Sequence, residues 1–160
     1  MLADEGAYGM KELRTEIEFD GTPEVTWTVL TELQAYPEWN PFIEKVEGEL
    51  RVGAKLDVRL QPVDERGITM HPTVLAAEPG RELRWIGHLM IPGIFDGEHR
   101  FRIEEAGPGR VRFAQTERFG GILVPLLWKK LRDGGTAKGF RAMNEALARR
   151  VAELRKQAAS

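Results

Sequence analysis

The sequence predicts an α+β fold in which a curved, seven-stranded antiparallel sheet wraps around a long C-terminal helix, with two short helices between strands 1 and 2. Three observations support this prediction. Apolar and polar residues alternate over seven short segments, most of them separated by glycine or proline. Apolar residues at helical spacing follow the first segment and return after the last. A chain of 160 residues has the length of one domain, which we expect over residues 13–157 after a flexible lead-in over residues 1–12.

The first strand and the helices after it follow from local signals. Apolar residues alternate over residues 13–19, which predicts a strand. Thr22 precedes Pro23, and this pair is typical of a helix N-cap and the first helical turn. Residues 36–42 read Tyr-Pro-Glu-Trp-Asn-Pro-Phe, and the two prolines exclude a long regular element. We therefore expect a tight turn or a short helix there.

Six further strands are predicted, and their short connections favour an antiparallel meander. Gly53 predicts a hairpin turn between the first two, and Pro72 places the third at an edge or a bulge. Both faces of that third strand carry apolar residues, so its inward face stays ambiguous. The six strands are expected over residues 46–52, 56–60, 68–77, 83–89, 94–105 and 110–119.

A long terminal helix is predicted beyond Gly120, where the apolar period changes from two to nearly four. Gly134, Gly135 and Gly139 fall within this helix, where each costs about 0.5 to 1 kcal/mol relative to alanine. Either packing or a ligand must then favour the missing side chain, or the helix breaks at Gly134 and Gly135. The helical stripe consists of Thr136, Phe140, Met143, Leu147, Val151 and Leu154.

Polar residues on the inward face of the last two strands are the main functional signal. His99, Gln115 and Glu117 alternate in step with inward phenylalanines. Burying each of them unpaired costs about 1 to 3 kcal/mol, so they need partners or a cavity open to water. If these strands pair around residues 107–109, His99 lies opposite Gln115 and Glu117. Such a contact fits either a satisfied core cluster or an acid/base pair.

Composition and motifs exclude several classes of function. The net charge of −2 gives no general case for nucleic-acid binding, although nine basic and three acidic residues lie between Lys129 and Lys156. The chain has no cysteine, and its single serine is the terminal Ser160, so thiol and serine nucleophiles are not expected. The histidines lack metal-ligand spacing, and no phosphate-binding loop is present. We expect no metal and no cofactor.

Two apolar segments indicate a surface role. Residues 122–128 form the longest apolar run, far short of the roughly 20 residues that span a bilayer, and residues 90–94 form another apolar loop. The segments suit a lid over a cavity, a homodimer interface or a membrane contact. Residues 1–10 lack the pattern of a secretory signal, so we expect a cytoplasmic protein without a transmembrane segment.

Several short motifs carry a family resemblance: residues 36–42, Gly48, Gly53, and residues 83–87, 97–101 and 120–123. Together they resemble the START-like (SRPBCC) superfamily, and within it the polyketide cyclase/dehydrase and lipid-transport group that includes the G-type subunit of carbon monoxide dehydrogenase. The resemblance implies a helix-grip fold with an internal cavity for lipids, polyketides, sterols or hormones. Only some members catalyse a reaction, so it supports a cavity more than a chemistry.

Three functions are weighed. The first is binding of a small hydrophobic ligand (lipid, polyketide or aromatic compound) between the sheet and the last helix, with no nucleic acid as partner. The second is a cyclase or dehydratase in which His99 or Glu117 moves a proton. The third is a partner-binding or assembly module that uses the basic helix face and the apolar loops. The expected ligand-binding residues are Trp39, Phe42, Trp85, His99, Phe113, Gln115, Glu117, Phe140 and Met143.

Each of these side chains also has a purely structural interpretation. The buried rings, Trp85 among them, fit a core as well as a cavity wall. Trp39 and Phe42 suit either a cavity entrance or an anchor for the proline-containing turn. His99 suits a hydrogen-bonded core histidine as well as a proton donor.

Overall fold

The computed structural model describes residues 10–160, and within them the chain forms eight strands, four α-helices or helical turns and one 3-10 turn. The predicted α+β class is confirmed. Most of the predicted lead-in lies outside the described residues, and the first strand begins at Lys11. The elements are β1 Lys11–Asp20, α1 Pro23–Thr31, a 3-10 turn Leu33–Ala35, α2 Tyr36–Trp39, β2 Ile43–Glu47, β3 Asp57–Leu60, β4 Ile68–Met70, β5 Thr73–Glu78, β6 Glu82–Leu89, β7 Phe95–Glu105, β8 Arg110–Gly120, α3 Val124–Asp133 and α4 Gly135–Ala159.

The strands form two antiparallel sheets, and the chain passes from one sheet to the other between β4 and β5. Five strands lie in the order β1-β8-β7-β6-β5, and three lie in the order β2-β3-β4. The bridge between Lys55 and Thr73 joins the two sheets, and the Leu56 amide donates to the Pro72 carbonyl at 2.8 Å. α4 lies against the inner face, where its apolar stripe is fully buried: Phe140, Met143, Leu147 and Val151. The helix-grip prediction is confirmed.

The strand count of seven was wrong, because residues 68–77 form two strands. β4 pairs with β3, whereas β5 pairs with β6, and His71 and Pro72 lie between them. Pro72 has no amide hydrogen for a ladder, so the chain leaves one sheet there and joins the other. The ambiguous apolar pattern of this segment reflects the change of partner.

The predicted strand over residues 46–52 ends early. β2 stops at Glu47 because Gly48 has φ of +126°, a conformation that favours glycine and interrupts a strand. The residues that follow form a loop, and the Val52 side chain is 62% exposed rather than inward. Apolar and polar residues therefore continue to alternate in the sequence beyond Gly48, where the backbone turns and the strand has ended.

The C-terminal helical region is broken, as one of the two alternatives predicted. Gly134 adopts an extended conformation between α3 and α4, and its amide still donates to the Lys130 carbonyl at 2.9 Å. Added carbons at Gly134 and Gly135 would overlap the carbonyls of Lys130 and Val63, respectively. These close backbone approaches explain why glycine occupies the break.

Two local predictions in the first half of the chain are confirmed. The Thr22 hydroxyl accepts a hydrogen bond from the Val25 amide at 3.2 Å and caps α1. The proline-containing segment forms the short helix α2, and the Tyr36 hydroxyl donates to the Leu30 carbonyl at 2.6 Å. Burial raises the pKa of the Tyr36 phenol well above its usual value. The hydrogen bond from the Tyr36 hydroxyl ties helix α2 to the end of α1.

No helix among residues 10–160 is long and apolar enough to cross a bilayer. The expected cytoplasmic location stays a prediction.

Candidate functional site

A cavity of about 170 Å³ lies between the inner sheet face and the two C-terminal helices. It is bounded by the ends of β6, β7 and β8, by α3, by the first turn of α4 and by the segment from β3 to β4. Its wall residues are mostly apolar, with one acidic residue on the sheet. They are Phe42, Leu60, Pro62, Glu65, Ile68, Met70, Gly87, Leu89, Phe95, Gly97, Glu117, Phe119, Leu127, Lys130, Leu131 and Thr136.

Two paired glycines create space on the sheet side of the cavity. Gly87 on β6 pairs directly with Gly97 on β7, and both are wall residues. An added carbon at Gly97 would lie 2.5 Å from the Glu117 Oε1 atom, and one at Gly87 would overlap the end of Met70. Side chains at these two inward positions would thus fill the hollow. The cavity lies where two neighbouring strands have glycine in place of an inward side chain.

Glu117 supplies the acidic group of the sheet wall. It lies on β8 directly across from His99 on β7, and its side chain is only 13% exposed. Its Oε2 atom lies 3.4 Å from His99 Nδ1. Within residues 10–160, His99 is the one side chain at ion-pair distance from this carboxylate, and no group donates a hydrogen bond to it. The carboxylate therefore has hydrogen-bonding capacity left for a molecule in the cavity.

Behind His99, a chain of buried amides fixes the orientation of the imidazole. The Gln115 amide nitrogen donates to the Phe140 carbonyl at 3.1 Å and to Asn144 Oδ1 at 2.7 Å. Asn144 in turn donates to the Thr15 hydroxyl at 3.0 Å. Because both donors of Gln115 are directed at acceptors, its Oε1 atom faces His99 Nε2 at 3.0 Å.

This network determines which imidazole nitrogen carries a proton. The Gln115 Oε1 atom only accepts, so His99 Nε2 must donate and carries hydrogen. His99 Nδ1 is left facing Glu117. In its imidazolium form His99 also carries hydrogen on Nδ1, and that hydrogen then lies between the ring and the Glu117 carboxylate at the cavity wall.

A second polar group lies on the helix side of the cavity. Glu65 Oε1 accepts the Gly135 amide hydrogen at 2.9 Å, and Glu65 Oε2 lies 3.4 Å from Lys130 Nζ. The Lys130 side chain is 67% exposed, so this pair stands at the rim. The Glu65 contact also anchors the start of α4 beside the cavity. The wall is therefore polar at Glu117 and again at its outer edge.

The structure separates the nine expected ligand-binding residues into three groups. Phe42 and Glu117 are wall residues of the cavity. His99 contacts Glu117, and Gln115 contacts His99, so both stand one layer behind the wall. The other five do not line it: Phe140, Trp85, Phe113 and Met143 are buried in the core, and Trp39 packs against Tyr36.

Several residues of the site were missed by sequence reasoning. Asn144 and Thr15 complete the network behind His99, although they lie 129 residues apart in the chain. Leu127 and Lys130 line the cavity from α3, which the sequence indicated only as an apolar run. Gly87 and Gly97 gave a readable signal, since both occupy inward positions of their strands. Their direct pairing depends on the register of β6 and β7.

A larger open groove of about 800 Å³ has a different set of lining residues and includes none of the His99 network. It is bordered by α1, the 3-10 turn and the loop after β2, including Trp27, Leu33 and Leu50. Among residues 10–160, no cluster of three or more histidine and carboxylate side chains suits a metal ion. The contact between His99 and Glu117 therefore belongs to the smaller cavity.

Solved structures share this architecture at low sequence identity. The di-domain aromatase/cyclase BexL of the BE-7585A biosynthetic pathway superposes with a TM-score of 0.71 at 11% identity over 89% of this chain. A START superfamily protein from Mycobacterium smegmatis gives 0.69 at 19% identity, covering 89% of this chain and 98% of the other. Norcoclaurine synthase from Thalictrum flavum, solved with dopamine and hydroxybenzaldehyde, gives 0.69 at 16% identity, covering 96% of this chain and 95% of the other.

This chain spans about half the length of BexL, of which 50% is covered. The likenesses show the START-like fold. The narrower resemblance to the G-type subunit of carbon monoxide dehydrogenase stays a prediction. No curated protein sequence matches the chain.

The sequence itself matches a family pattern across nearly its whole length. The matching family is described as polyketide cyclase / dehydrase and lipid transport, and the match covers residues 10–156. It includes both walls of the cavity, the His99 network and the two C-terminal helices. The chain therefore belongs to the polyketide cyclase/dehydrase and lipid transport family.

Proposed function

We propose that this protein binds a small, mainly apolar molecule that carries a hydrogen-bond donor, in the cavity beside Gly87 and Gly97. The Glu117 carboxylate is the observation that supports the proposal most strongly. Its side chain is 13% exposed on a mostly apolar wall, and His99 is the one side chain at ion-pair distance from it among the described residues. A ligand hydroxyl or amine that donates to this carboxylate offsets the cost of its burial.

The size of the cavity favours a compact ligand. Its volume of about 170 Å³ is close to the roughly 150 Å³ of an engineered protein cavity that binds benzene. One aromatic ring or a short aliphatic chain fits this space. A multi-ring polyketide needs α3 or the adjoining loops to move outward. Norcoclaurine synthase, which shares this fold, was solved with two single-ring phenols, dopamine and hydroxybenzaldehyde.

A pair of matched probes tests the proposal. p-Cresol has a ring and a hydroxyl donor, whereas toluene has the ring alone. We expect p-cresol to bind about tenfold or more tightly, since a hydrogen bond to a charged group contributes about 1.5 to 3 kcal/mol. Glu117→Leu removes this preference without preventing toluene from binding. Calorimetric titration or ligand-observed NMR measures both affinities.

Two tryptophan variants show whether binding occurs in this cavity. Leu127→Trp fills the space from α3 and should abolish binding of both probes. Leu126→Trp is its control, because the neighbouring Leu126 side chain is 80% exposed on the outer side of the same helix. Equal effects of the two variants, or equal affinity for p-cresol and toluene, would contradict the proposal.

Proton transfer in the cavity is the second candidate function. It is favoured by the 3.4 Å approach of His99 Nδ1 to Glu117 Oε2, together with the donor role of His99 Nε2. In its carboxylate form, Glu117 accepts a proton from a carbon next to a carbonyl group, and the electron pair of the broken C–H bond passes to the carbonyl oxygen as an enolate. His99 Nδ1 then faces the carboxylic acid that results. Cyclisation and dehydration both include such a proton transfer.

Hydrogen–deuterium exchange gives a direct test of this candidate. 4-Hydroxyphenylacetone in D₂O should exchange its α-hydrogens faster with protein present, as followed by proton NMR. His99→Ala should abolish the acceleration and leave p-cresol affinity within about threefold. The control is His88→Ala, since the partly exposed His88 pairs with Asp96 away from the cavity wall. Absence of any acceleration by the wild-type protein would contradict this second candidate.

A further inference from the structure

Exposed apolar side chains are concentrated around the cavity. Within residues 10–160, eight large apolar side chains are exposed, and seven of them lie on three segments that also supply cavity walls. The exception is Val52 in the loop after β2. The seven are Val63 and Ile68 near β4, Met90 and Ile91 between β6 and β7, and Ile122, Leu123 and Leu126 at α3. We call these seven side chains the apolar rim.

Two parts of the apolar rim are joined by backbone hydrogen bonds. The Ile122 amide donates to the Gly93 carbonyl at 3.0 Å, and the Leu123 amide donates to the Ile94 carbonyl at 3.1 Å. The loop before β7 and the segment before α3 therefore form one surface. Its most exposed members are Met90 at 88% and Leu126 at 80%. Adjacent side chains point the other way and line the cavity, including Leu127.

Basic side chains adjoin the apolar rim on α3 and the start of α4. Between residues 124 and 141 there are five lysines or arginines and one aspartate, a local charge of +4 in a chain of net −2. Leu126, Lys129 and Lys130 share a helix face because they are three and four residues apart. Around the rim, the acidic Glu65, Asp96 and Asp133 pair with Lys130, His88 and Arg132. On the loop before β4, Asp64 and Arg66 offset each other.

We propose that the apolar rim docks on the surface of an anionic lipid bilayer. Exposed aliphatic side chains with lysines on the same helix face suit the boundary between acyl chains and headgroups. A second copy of this chain fits less well, because a twofold contact through α3 brings two +4 segments together. Docking would direct the cavity toward the membrane. This inference does not depend on the identity of the ligand in the cavity.

Vesicle co-sedimentation tests the proposal with the full chain. The probes are vesicles of pure phosphatidylcholine and vesicles with about a third phosphatidylglycerol. We expect binding to the anionic vesicles, at least tenfold weaker binding to the neutral ones, and weakening as salt rises. Leu126→Ser should weaken binding about tenfold or more, since it removes an inserted leucine. Lys129→Gln should weaken it about fivefold.

Matched variants separate docking from general surface effects. Val52→Ser removes an exposed apolar side chain outside the rim, and Arg149→Gln removes a charge about 21 Å along α4 from its first residue. Both should bind vesicles like the wild type, and circular dichroism checks that every variant is folded. Sedimentation equilibrium in the absence of lipid should show a monomer.

Three results would overturn the proposal. One is failure of the wild-type protein to sediment with anionic vesicles. Another is a loss of binding that is equal for Leu126→Ser and Val52→Ser. The third is a dimer that Leu126→Ser dissociates, because a second copy then covers the apolar rim.

Discussion

The buried amide of Gln115 determines the chemistry of the cavity without touching it. Its two donors are engaged by Phe140 and Asn144, so its oxygen is directed at His99. An imidazole bound at one nitrogen by a fixed acceptor presents the other nitrogen to the carboxylate opposite. Nε2 therefore donates to Gln115, and Nδ1 is the nitrogen that faces Glu117. Gln115 is thus a positioning residue in this site.

The small space between Gly97 and Glu117 gives a prediction at the residue scale. In Gly97→Ala the added carbon stands 2.5 Å from Glu117 Oε1, and the flexible carboxylate moves. We expect the free energy of unfolding to change by less than about 1 kcal/mol, since only the end of a side chain is displaced. The preference for p-cresol over toluene should fall severalfold, as measured by titration.

The control for this substitution is Gly120→Ala on β8. Its nearest neighbour would be Met10 at 3.9 Å, and its backbone is not in the left-handed region. An unchanged ligand preference in Gly97→Ala would show that the carboxylate position does not affect recognition.

At the scale of elements, the sequence predicted a segment correctly where the whole segment forms one element and packs against one neighbour. The Thr22 cap and the buried stripe of α4 were both read correctly. The division of residues 68–77 into two strands was not predicted, because the two halves of this segment pair with different strands. The alternation of apolar residues identifies a strand but does not show which other strand it pairs with. The direct pairing of Gly87 with Gly97 was hidden for the same reason.

The candidate site was predictable to a similar extent. His99, Gln115 and Glu117 were identified because inward polar residues break the apolar pattern. Their mutual contact follows from the register of β7 and β8. The position of the cavity did not follow, because it depends on where α3 and α4 separate at Gly134. Large rings such as Trp85 and Phe113 therefore fell in the core instead of the wall.

Gly139 gives a prediction at the scale of helix packing. Alanine is the better helix former by about 1 kcal/mol, yet an added carbon there would overlap the Phe42 ring. We expect Gly139→Ala to lower the free energy of unfolding by about 1 to 3 kcal/mol, measured by urea denaturation. In a Phe42→Leu background the same substitution should cost less, because the ring edge is gone. Equal costs in both backgrounds would exclude this contact as the cause.

At the scale of the whole molecule, stability at alkaline pH depends on Tyr36. Its phenol is fully buried, and burial raises its pKa above the ordinary value of 10.0. The unfolded chain therefore loses this proton at lower pH than the native protein. The contribution of Tyr36 to the free energy of unfolding is fully present below pH 10. Above pH 10 the free energy of unfolding falls, by at most about 1.4 kcal/mol per pH unit.

The matched variant for this effect is Tyr36→Phe. Below pH 10 it should be less stable by about 1 kcal/mol, because the hydrogen bond to the Leu30 carbonyl is lost. Above pH 10 its free energy of unfolding should fall less steeply than that of the wild type. Urea denaturation at several pH values measures both slopes. Parallel slopes would mean that the phenol ionises equally in the native and unfolded states.

The pairing of β1 with β8 has a consequence for synthesis of the chain. Lys11 lies opposite Phe119, so the first strand emerges from the ribosome about a hundred residues before its partner. At about 5 to 20 residues per second, the interval is roughly 5 to 20 s. During this time the apolar side chains of β1, including Leu13 and Phe19, have no sheet to cover them. The nascent chain therefore exposes these side chains until translation passes β8.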